Sequence, residues 1–317
     1  MDHPGEFQND YASVYDSHDL TFGARTYMMD TNNRRINGAD YARLNKQNDM
    51  INPIIGLFHE DHAPHDGSLI LDVACGPGGW IRDVARLYPN VRLIGIDNNK
   101  LAIKYAKEHE ATKHNQHVAF EIADITERFN CHSNIFDFIY LRFLVDAVPK
   151  TKWVEILLEC FRVLKPGGCI RLVESEAGWI PSSAESKMAQ SMDLLLEALW
   201  TYEKSFSRHA IAISPMLPAF LEAARFSNIS VYPYLLNWSY GKELHQSVLE
   251  NHAVSLQELR AVFRKTNIEM RSLTDKEFDC RFNALYSGAL AEANLPNYRA
   301  FWPLVSVLAW KPIAPHP

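Results

Sequence analysis

The residues of this chain with the clearest chemical potential are a glycine-rich turn and the aspartates around it. The turn, Cys75-Gly76-Pro77-Gly78-Gly79, follows the apolar run 69–74 and precedes a helical pattern that begins at Trp80. Such a turn directs backbone N–H groups and a helix N-terminus at a ligand lying across the carboxyl ends of parallel strands. Asp97 ends the next apolar run, where a carboxylate binds the hydroxyls of a ribose. Together they predict a site for an adenosine-containing cofactor, although a glycine-rich turn alone can be purely structural.

Two departures from the dinucleotide-binding pattern indicate which cofactor this is. A dinucleotide fold has a third glycine, so that the helix packs closely beside the pyrophosphate, but Ile81 stands at that position. Asp72 lies inside the strand just before the turn, where its carboxylate would repel phosphates. The same carboxylate would attract the ammonium and sulfonium charges of S-adenosylmethionine. The charge pattern therefore favours a cationic cofactor.

Alternating strand and helix patterns place these residues at one edge of a sheet. Apolar runs predict strands at 69–74, 91–97, 117–122, 135–141, 169–173, 228–238 and 305–310. Apolar spacings of three and four predict helices after the first two strands and around 153–164, 188–199 and 217–224, with two or three more within residues 1–60. Because strand and helix alternate, the core strands should be parallel.

Composition limits the classes of protein that need considering. The 317 residues are 47% hydrophobic and 22% charged, as in an ordinary globular protein. The net charge of −6 disfavours a nucleic-acid partner. The chain shows no signal-peptide pattern and no run of apolar residues long enough to span a membrane. Its five cysteines include no CxxC pair, which fits a reducing compartment. From these features together we expect a soluble, cytoplasmic protein without a membrane partner.

Five segments resemble, in order, the motifs of class I (Rossmann-like) S-adenosylmethionine-dependent methyltransferases of the small-molecule type. They are residues 71–79, 95–97, 123–125, 136–139 and 162–168. The resemblance covers residues 67–175 by motif and the rest by architecture. It implies an α/β, doubly wound sheet of order 3-2-1-4-5-7-6 with strand 7 antiparallel, N-terminal helices and a helical cap insertion.

The resemblance also implies a set of residues that bind S-adenosylmethionine. These are Asp72, Ala74, Cys75, Gly76, Pro77 and Gly78 around the methionine part, Asp97 and Asn98 at the ribose, and Ala123, Asp124 and Ile125 at the adenine. Leu141 and Arg142 would line the floor where cofactor meets acceptor. Gln47 lies in a segment similar to the helix that closes over the cofactor, and an ordinary helix surface explains it equally well.

Methyl transfer requires no protein nucleophile, because the sulfonium already activates the methyl carbon; the enzyme chiefly aligns the reactants in a dry site. If the acceptor is a hydroxyl, an acidic or histidine side chain would help to remove its proton. Candidates for this catalytic role are Asp146, Glu174 and His209, each of which could also be a solvated loop residue. No metal ligands are assigned, because the histidines of 59–65 lie in a Pro- and Gly-flanked connection typical of a solvated loop.

The remaining sequence predicts the domain organisation and the kind of acceptor. Residues 1–60 would form a helical lid, 61–240 and 303–317 the core, and 241–302 a helical insertion that serves as a cap or an oligomer contact. Aromatic residues such as Trp238, Tyr286 and Trp302 either line an apolar pocket or form a helical core. We expect methylation of a small apolar or aromatic metabolite, for example in secondary metabolism. Alternatives are a protein or RNA acceptor and a non-catalytic S-adenosylmethionine-binding protein.

Overall fold

Seven β-strands of the described chain form one sheet, in the order β3-β2-β1-β4-β5-β7-β6. The computed structural model describes residues 38–59, 62–109, 117–145, 148, 150–175, 186–200, 213–267 and 269–313. The strands are β1 (Leu69–Val73), β2 (Arg92–Asp97), β3 (Val118–Ile122), β4 (Phe136–Arg142), β5 (Leu164–Ser175), β6 (Ser227–Asn237) and β7 (Phe301–Trp310). β1 to β5 pair in parallel, whereas β7 is antiparallel to both β5 and β6. The predicted strand order and the direction of β7 are confirmed.

The helices of the described chain cover both faces of this sheet. They are α1 (Gly38–Ile55), α2 (Gly79–Leu87), α3 (Lys100–His109), α4 (Trp153–Val163), α5 (Lys187–Trp200), α6 (Leu217–Ala223), α7 (His245–Glu258), α8 (Arg260–Thr266) and α9 (Asp275–Ala293). Of the two or three helices predicted within residues 1–60, α1 is the one seen; residues 1–37 lie outside the described chain. All five residues of β1 are buried, as expected of a central strand covered on both faces.

Each face of the sheet has its own hydrophobic core. On one face, Trp80 of α2 and Ile51 of α1 pack with Tyr140 of β4. On the other, Leu157 of α4 and Leu217 of α6 pack against the central strands. A third cluster is built from α5, α7, α8 and α9. The helices between β6 and β7 share it with α5, and Val248 of α7 and Ala289 of α9 pack in the first core instead. The predicted domain boundaries stay predictions.

Helix α1 is fixed to the sheet by a buried arginine. Arg171 of β5 has no exposed surface and donates hydrogen bonds to the carbonyl oxygens of Ile55 (2.7 Å) and Gly56 (2.8 Å). Carbonyl oxygens at a helix C-terminus lack intrahelical hydrogen-bond donors, and the guanidinium of Arg171 supplies the missing donors. Gly56, at φ 69°, ends the helix in the left-handed conformation that favours glycine. At its other end, Arg43 of α1 donates to Asn251 of α7 (2.9 Å), so α1 joins the sheet to the insertion.

Two strands begin earlier than predicted. β5 begins at Leu164 rather than at residue 169, because Leu164 already pairs with Phe136 of β4. The pairing is then interrupted around Gly167, which has φ 80°, and resumes at Cys169. β7 begins at Phe301 rather than at 305. The sequence pattern did not predict this start because Pro303 interrupts it, yet Pro303 pairs with Leu235 of β6. In both cases a residue type that normally ends a strand lies inside one.

Candidate functional site

The turn between β1 and α2 has the conformation of a ligand cradle. Ala74, Gly76 and Gly78 all have positive φ (59°, 54° and 79°). A Cβ on Gly78 would lie 2.7 Å from Cζ of Phe120, so this position, which also has a positive φ, requires glycine. A Cβ on Gly79 would meet the side-chain amide of Asn48. A Cβ on Gly76 would meet no atom within 4 Å. The turn is thus packed from below and open at Gly76, where a ligand can approach the backbone.

Asp97 closes this turn from the neighbouring strand. Its carboxylate accepts hydrogen bonds from the backbone N–H of Gly76 (2.8 Å, to Oδ2) and of Asn99 (2.8 Å, to Oδ1). Burial raises the pKa of Asp97, and these two bonds oppose the rise. Each carboxylate oxygen keeps a lone pair for a further donor. A partly buried carboxylate in this position can accept the two hydroxyls of a ribose; Asn98 beside it is exposed.

Asp72 is the buried charge of the site. Its side chain is 4% exposed, and burial raises its pKa to about 8, helped by Asp97 and opposed by the charge of Arg142. A cation bound beside Asp72 would favour the ionised form, as expected for a site that accepts a positively charged ligand. Burial, Asp72 and Asp97 also raise the pKa of the Cys75 thiol, which therefore stays protonated and a poor nucleophile.

Arg142 lies at the carboxyl end of β4, as predicted, but its main hydrogen-bond partner was not predicted. Its Nη1 donates to Oδ1 of Asn52 in α1 (2.9 Å), and Nδ2 of Asn52 donates to Asp83 of α2 (2.8 Å). The guanidinium carbon lies 5.5 Å from the ring centroid of Phe143 and 5.8 Å from that of Tyr140. Sequence reasoning missed Asn52 because nothing near it along the chain marks a contact with a residue 90 positions away.

Asp124 has a free acceptor. Its Oδ1 accepts from the backbone N–H (2.9 Å) and the hydroxyl (2.7 Å) of Thr126. Its Oδ2 is buried and has no partner within the described chain. Ala123 and Ile125 on either side are buried apolar residues. A buried acceptor between apolar neighbours fits the amino group of an adenine ring, because an unpaired buried oxygen is costly until a ligand supplies its donor.

Helix α1 presents asparagines to the turn, and the predicted role of Gln47 in the same helix stays a prediction. Gln47 is partly exposed. Asn48 is 5% exposed and lies against Gly79, and its Oδ1 has no partner within the described chain. Nδ2 of Asn45 donates to the Tyr105 hydroxyl of α3 at 3.4 Å. The spacing of Asn45, Asn48 and Asn52, at three and four residues, places them on one helix face.

Of the three catalytic candidates, the structure describes Glu174. Asp146 and His209 lie outside the described residues. Glu174 is fully buried, and its carboxylate accepts from the backbone N–H of Leu144 (2.8 Å) and Val145 (3.3 Å). These bonds fasten the segment after β4 to the end of β5. The geometry thus gives Glu174 a positioning contact, and its role as a base stays a prediction.

Aromatic rings continue this edge of the sheet beyond Arg142. Phe143 has φ 57°, a strained conformation for a bulky residue, and its ring lies 6.1 Å from that of Trp302 at an angle of 20°. The indole N–H of Trp302 donates to the Ser175 hydroxyl (2.9 Å). Trp302 is 3% exposed and belongs to the same core as Trp238, and Tyr286 stacks on Phe282 in the insertion. The three predicted aromatic residues therefore pack in the cores, and Trp302 reaches this edge of the sheet through its contact with Phe143.

The described residues include no cluster of three or more His, Cys, Asp or Glu side chains able to hold a metal ion. None of their helices is long and apolar enough to cross a membrane. All five cysteines, including the buried Cys160 and Cys169, are unpaired.

The fold and the site together define a class. A sheet of this order with an antiparallel β7, a glycine-rich turn after β1 and an acidic residue after β2 is the class I methyltransferase arrangement. Residues 70–168 match the family model described as a methyltransferase domain. The chain therefore contains a class I S-adenosylmethionine-dependent methyltransferase domain. The open turn at Gly76, the buried Asp72 and the unpaired Oδ2 of Asp124 fit the three parts of that cofactor.

Relatives with known names are similar over different lengths. The chain is 36% identical over 110 residues to the sterol 24-C-methyltransferase of Saccharomyces cerevisiae, covering 34% of this chain and 27% of that protein. It is 25% identical over 279 residues to the methyltransferase pytC of Aspergillus terreus, covering 83% and 79%. It is 28% identical over 151 residues to the demethylmenaquinone methyltransferase of Staphylococcus aureus, covering 44% and 61%. The likeness to the first and third is thus confined to a part of each protein.

Proposed function

We propose that this protein transfers the methyl group of S-adenosylmethionine to a small, apolar or aromatic metabolite. The observation that carries the proposal is the set of acidic groups at one edge of the sheet. Asp72 is buried near the end of β1, Asp97 ends β2 beside the open turn at Gly76, and Asp124 follows β3 with an unused acceptor. Buried acceptors arranged in this way match a ligand that brings an ammonium, a ribose diol and an adenine amino group.

Each acidic residue has a distinct role in this proposal. Asp72 and the backbone of the turn hold the methionine part, Asp97 accepts from the ribose hydroxyls, and Asp124 accepts from the adenine amino group. When bound, S-adenosylmethionine supplies a methyl carbon already activated by its sulfonium. The residues of the chain align the acceptor with that carbon and exclude water. The protonated Cys75 thiol does not compete as a nucleophile.

The acceptor side supports an apolar or flat substrate. The ring of Phe143 lies beside Arg142, in the region proposed to receive the acceptor, and stacks with Trp302. Strained backbone such as that of Phe143 is concentrated at functional sites. Two of the similar proteins are named for methylating a sterol and a demethylmenaquinone, both largely apolar molecules. If the acceptor loses a proton, Asp146, Glu174 and His209 are the proposed bases. A role in natural-product biosynthesis is part of this proposal.

The experiment that tests the cofactor is calorimetric titration with S-adenosylmethionine and S-adenosylhomocysteine. We expect micromolar binding that Asp97→Ala weakens at least tenfold, a loss of about 1.4 kcal/mol or more. Glu258→Ala, in the insertion, is the matched control and should bind as the natural protein does. Binding of NAD instead of either ligand would overturn the proposal. Incubation with labelled S-adenosylmethionine and a panel of sterols, quinones and phenols then tests the acceptor class.

A further inference from the structure

Two arginines of the sheet hold the last turn of α1 in different ways. Arg171 binds the main chain, through the carbonyls of Ile55 and Gly56. Arg142 binds a side chain, Oδ1 of Asn52, one turn earlier. The first contact fixes the helix whatever its sequence, whereas the second depends on one amide. The second contact therefore depends on the identity of residue 52, and its effect is felt at the guanidinium of Arg142.

The amide of Asn52 is held in one orientation. Its Nδ2 donates to Oδ2 of Asp83, which as a carboxylate can only accept, so its Oδ1 must face Arg142. Asn52 and Asp83 are 7% and 9% exposed, which shields both hydrogen bonds from water. We call the chain Asp83–Asn52–Arg142 the amide link. It gives the guanidinium of Arg142 a defined position at the end of β4.

That position is close to Asp72 without contact. Asp72 pairs in register with Tyr140 of the parallel β4, and Arg142 lies two residues further along that strand, on the same face of the sheet. The charge of Arg142 opposes the rise that burial causes in the pKa of Asp72. Yet these two residues, both within the described chain, form no ion pair within 4.0 Å; the guanidinium donates to Asn52 instead. The other groups whose charges act on or respond to Asp72 are Asp97 of β2, the Cys75 thiol and the Tyr140 hydroxyl. Arg142 is the cation among them.

We propose that Asn52 is a positioning residue that keeps Arg142 from pairing directly with Asp72, so that the Asp72 carboxylate remains available to the cationic end of the cofactor. This inference rests on the proposed function. Arg142 near Asp72 favours the carboxylate over the neutral acid, which the site needs. Arg142 in contact with Asp72 would occupy its lone pairs and compete with the ligand ammonium. The amide link selects the first arrangement, and it forms only when α1 is docked.

The test measures the affinity for S-adenosylhomocysteine between pH 6 and 9 in four variants. Asn52→Leu removes both hydrogen bonds of the amide and releases Arg142 toward Asp72. Arg142→Met removes the guanidinium. Asp72→Asn gives the part of the pH profile that belongs to the ligand's own amino group. Asp49→Asn is the control, because it removes an exposed ion pair with Arg82 (2.8 Å) between the same two helices and leaves both hydrogen bonds of Asn52 in place; Arg82 also pairs with Asp83 (3.4 Å).

The two main variants should shift the pH profile in opposite directions. In Asn52→Leu the direct ion pair stabilises the carboxylate, so the rise in affinity with pH should move to lower pH, with binding roughly tenfold weaker at its maximum. In Arg142→Met the rise should move to higher pH. In the Arg142→Met background, Asn52→Leu should change the affinity less than about twofold, because the competing group is absent. Asp49→Asn should keep the natural profile.

Specific results would overturn the inference. If Asn52 only holds α1 in place, Asn52→Leu weakens binding equally in both backgrounds and leaves the pH profile where it was. Should Asn52→Leu fail to fold, Asp83→Leu releases the far end of the amide link, and Asp83→Asn, which keeps the acceptor oxygen, should restore natural binding. If the unmodified protein binds neither S-adenosylmethionine nor S-adenosylhomocysteine, the proposed function fails together with this inference; if it binds them with an unshifted Asn52→Leu profile, this inference alone fails.

Discussion

The cofactor edge, meaning the turn 74–79 with the carboxyl ends of β1, β2, β3 and β4, differs from the insertion α7–α9 in what it buries. The cofactor edge buries carboxylates such as Asp72 and Asp124 and holds backbone at positive φ. The insertion buries aromatic rings, including Phe263 and Phe282, and keeps its ion pairs, such as that of Arg281 with Glu269, at the surface.

The difference shows where this chain is prepared for a ligand. A buried charge or an unpaired acceptor is unfavourable in the free protein and becomes favourable when a ligand supplies the partner. The buried His252 of the insertion follows another rule: it hydrogen-bonds to the Ser191 hydroxyl of α5 (2.9 Å), and burial lowers its pKa to about 4, so it stays neutral. Changes in the insertion should therefore alter stability, and changes at the cofactor edge should alter binding.

The largest effect is expected from truncating the core of the insertion. Phe263 is fully buried between α5 and α9, and Phe263→Ala should reduce the free energy of unfolding by about 3–5 kcal/mol. Denaturant unfolding measures this loss, and Leu295→Ala, at a half-exposed position, is the control with a change within about 0.5 kcal/mol. The folded variant should bind S-adenosylmethionine normally. Weaker binding by the folded protein would mean that the two regions are coupled.

The next effect separates two glycines with the same backbone conformation. Gly78 and Gly241 have φ 79° and 74°, but a Cβ would collide with Phe120 only at Gly78. Gly78→Val should weaken cofactor binding about a hundredfold, roughly 2.7 kcal/mol, whereas Gly241→Val should carry only the backbone strain of about 1–2 kcal/mol in stability. Calorimetry and thermal unfolding of both variants make the comparison. Equal loss of binding in both would contradict it.

A third prediction concerns pH. The pKa of Asp72 is raised to about 8, so the side chain becomes a carboxylate as the pH rises through that value. The ratio of the affinities for S-adenosylmethionine and S-adenosylhomocysteine, which differ by the sulfonium charge, should therefore increase by up to about tenfold between pH 6 and 9. The ratio cancels the titration of the amino group that both ligands share. Asp72→Asn should give a constant ratio, and a natural protein with a constant ratio would exclude this role for Asp72.

The smallest effect returns to the insertion. Thr274 caps α9 by accepting from the backbone N–H of Glu277, whose carboxylate accepts from the N–H of Thr274 (2.8 Å). Thr274→Ala should lower the free energy of unfolding by about 1 kcal/mol without changing cofactor affinity. Ser287→Ala, which removes an exposed hydroxyl from the same helix, should have a smaller effect. A change in cofactor affinity with Thr274→Ala would mean that the capping of α9 influences binding at the cofactor edge.

Much of the cofactor edge could be predicted because its parts are short and local. The strand β1, the turn and α2 occupy consecutive residues, and the glycines and Asp97 stand at strand ends that apolar runs mark clearly. The sheet order followed from the resemblance. Asn45 and Asn48, which lie against Gly79, could not be recognised in the sequence, because the face that a helix turns inward depends on the surface it docks against. The assignment of Gln47 to the cofactor stays a prediction.

The sequence by itself therefore determined the alternation of strands and helices, the cradle at the turn and the acidic residues around it. Only the tertiary structure decided that Arg142 faces Asn52 rather than Asp72, that Arg171 caps α1 and that Glu174 binds the main chain after β4. Hydrophobic runs and turn residues act over a few neighbouring positions, so they can be recognised along the chain. Partners between 30 and 116 residues apart are chosen by strand register and helix docking, which exist only after the chain has folded.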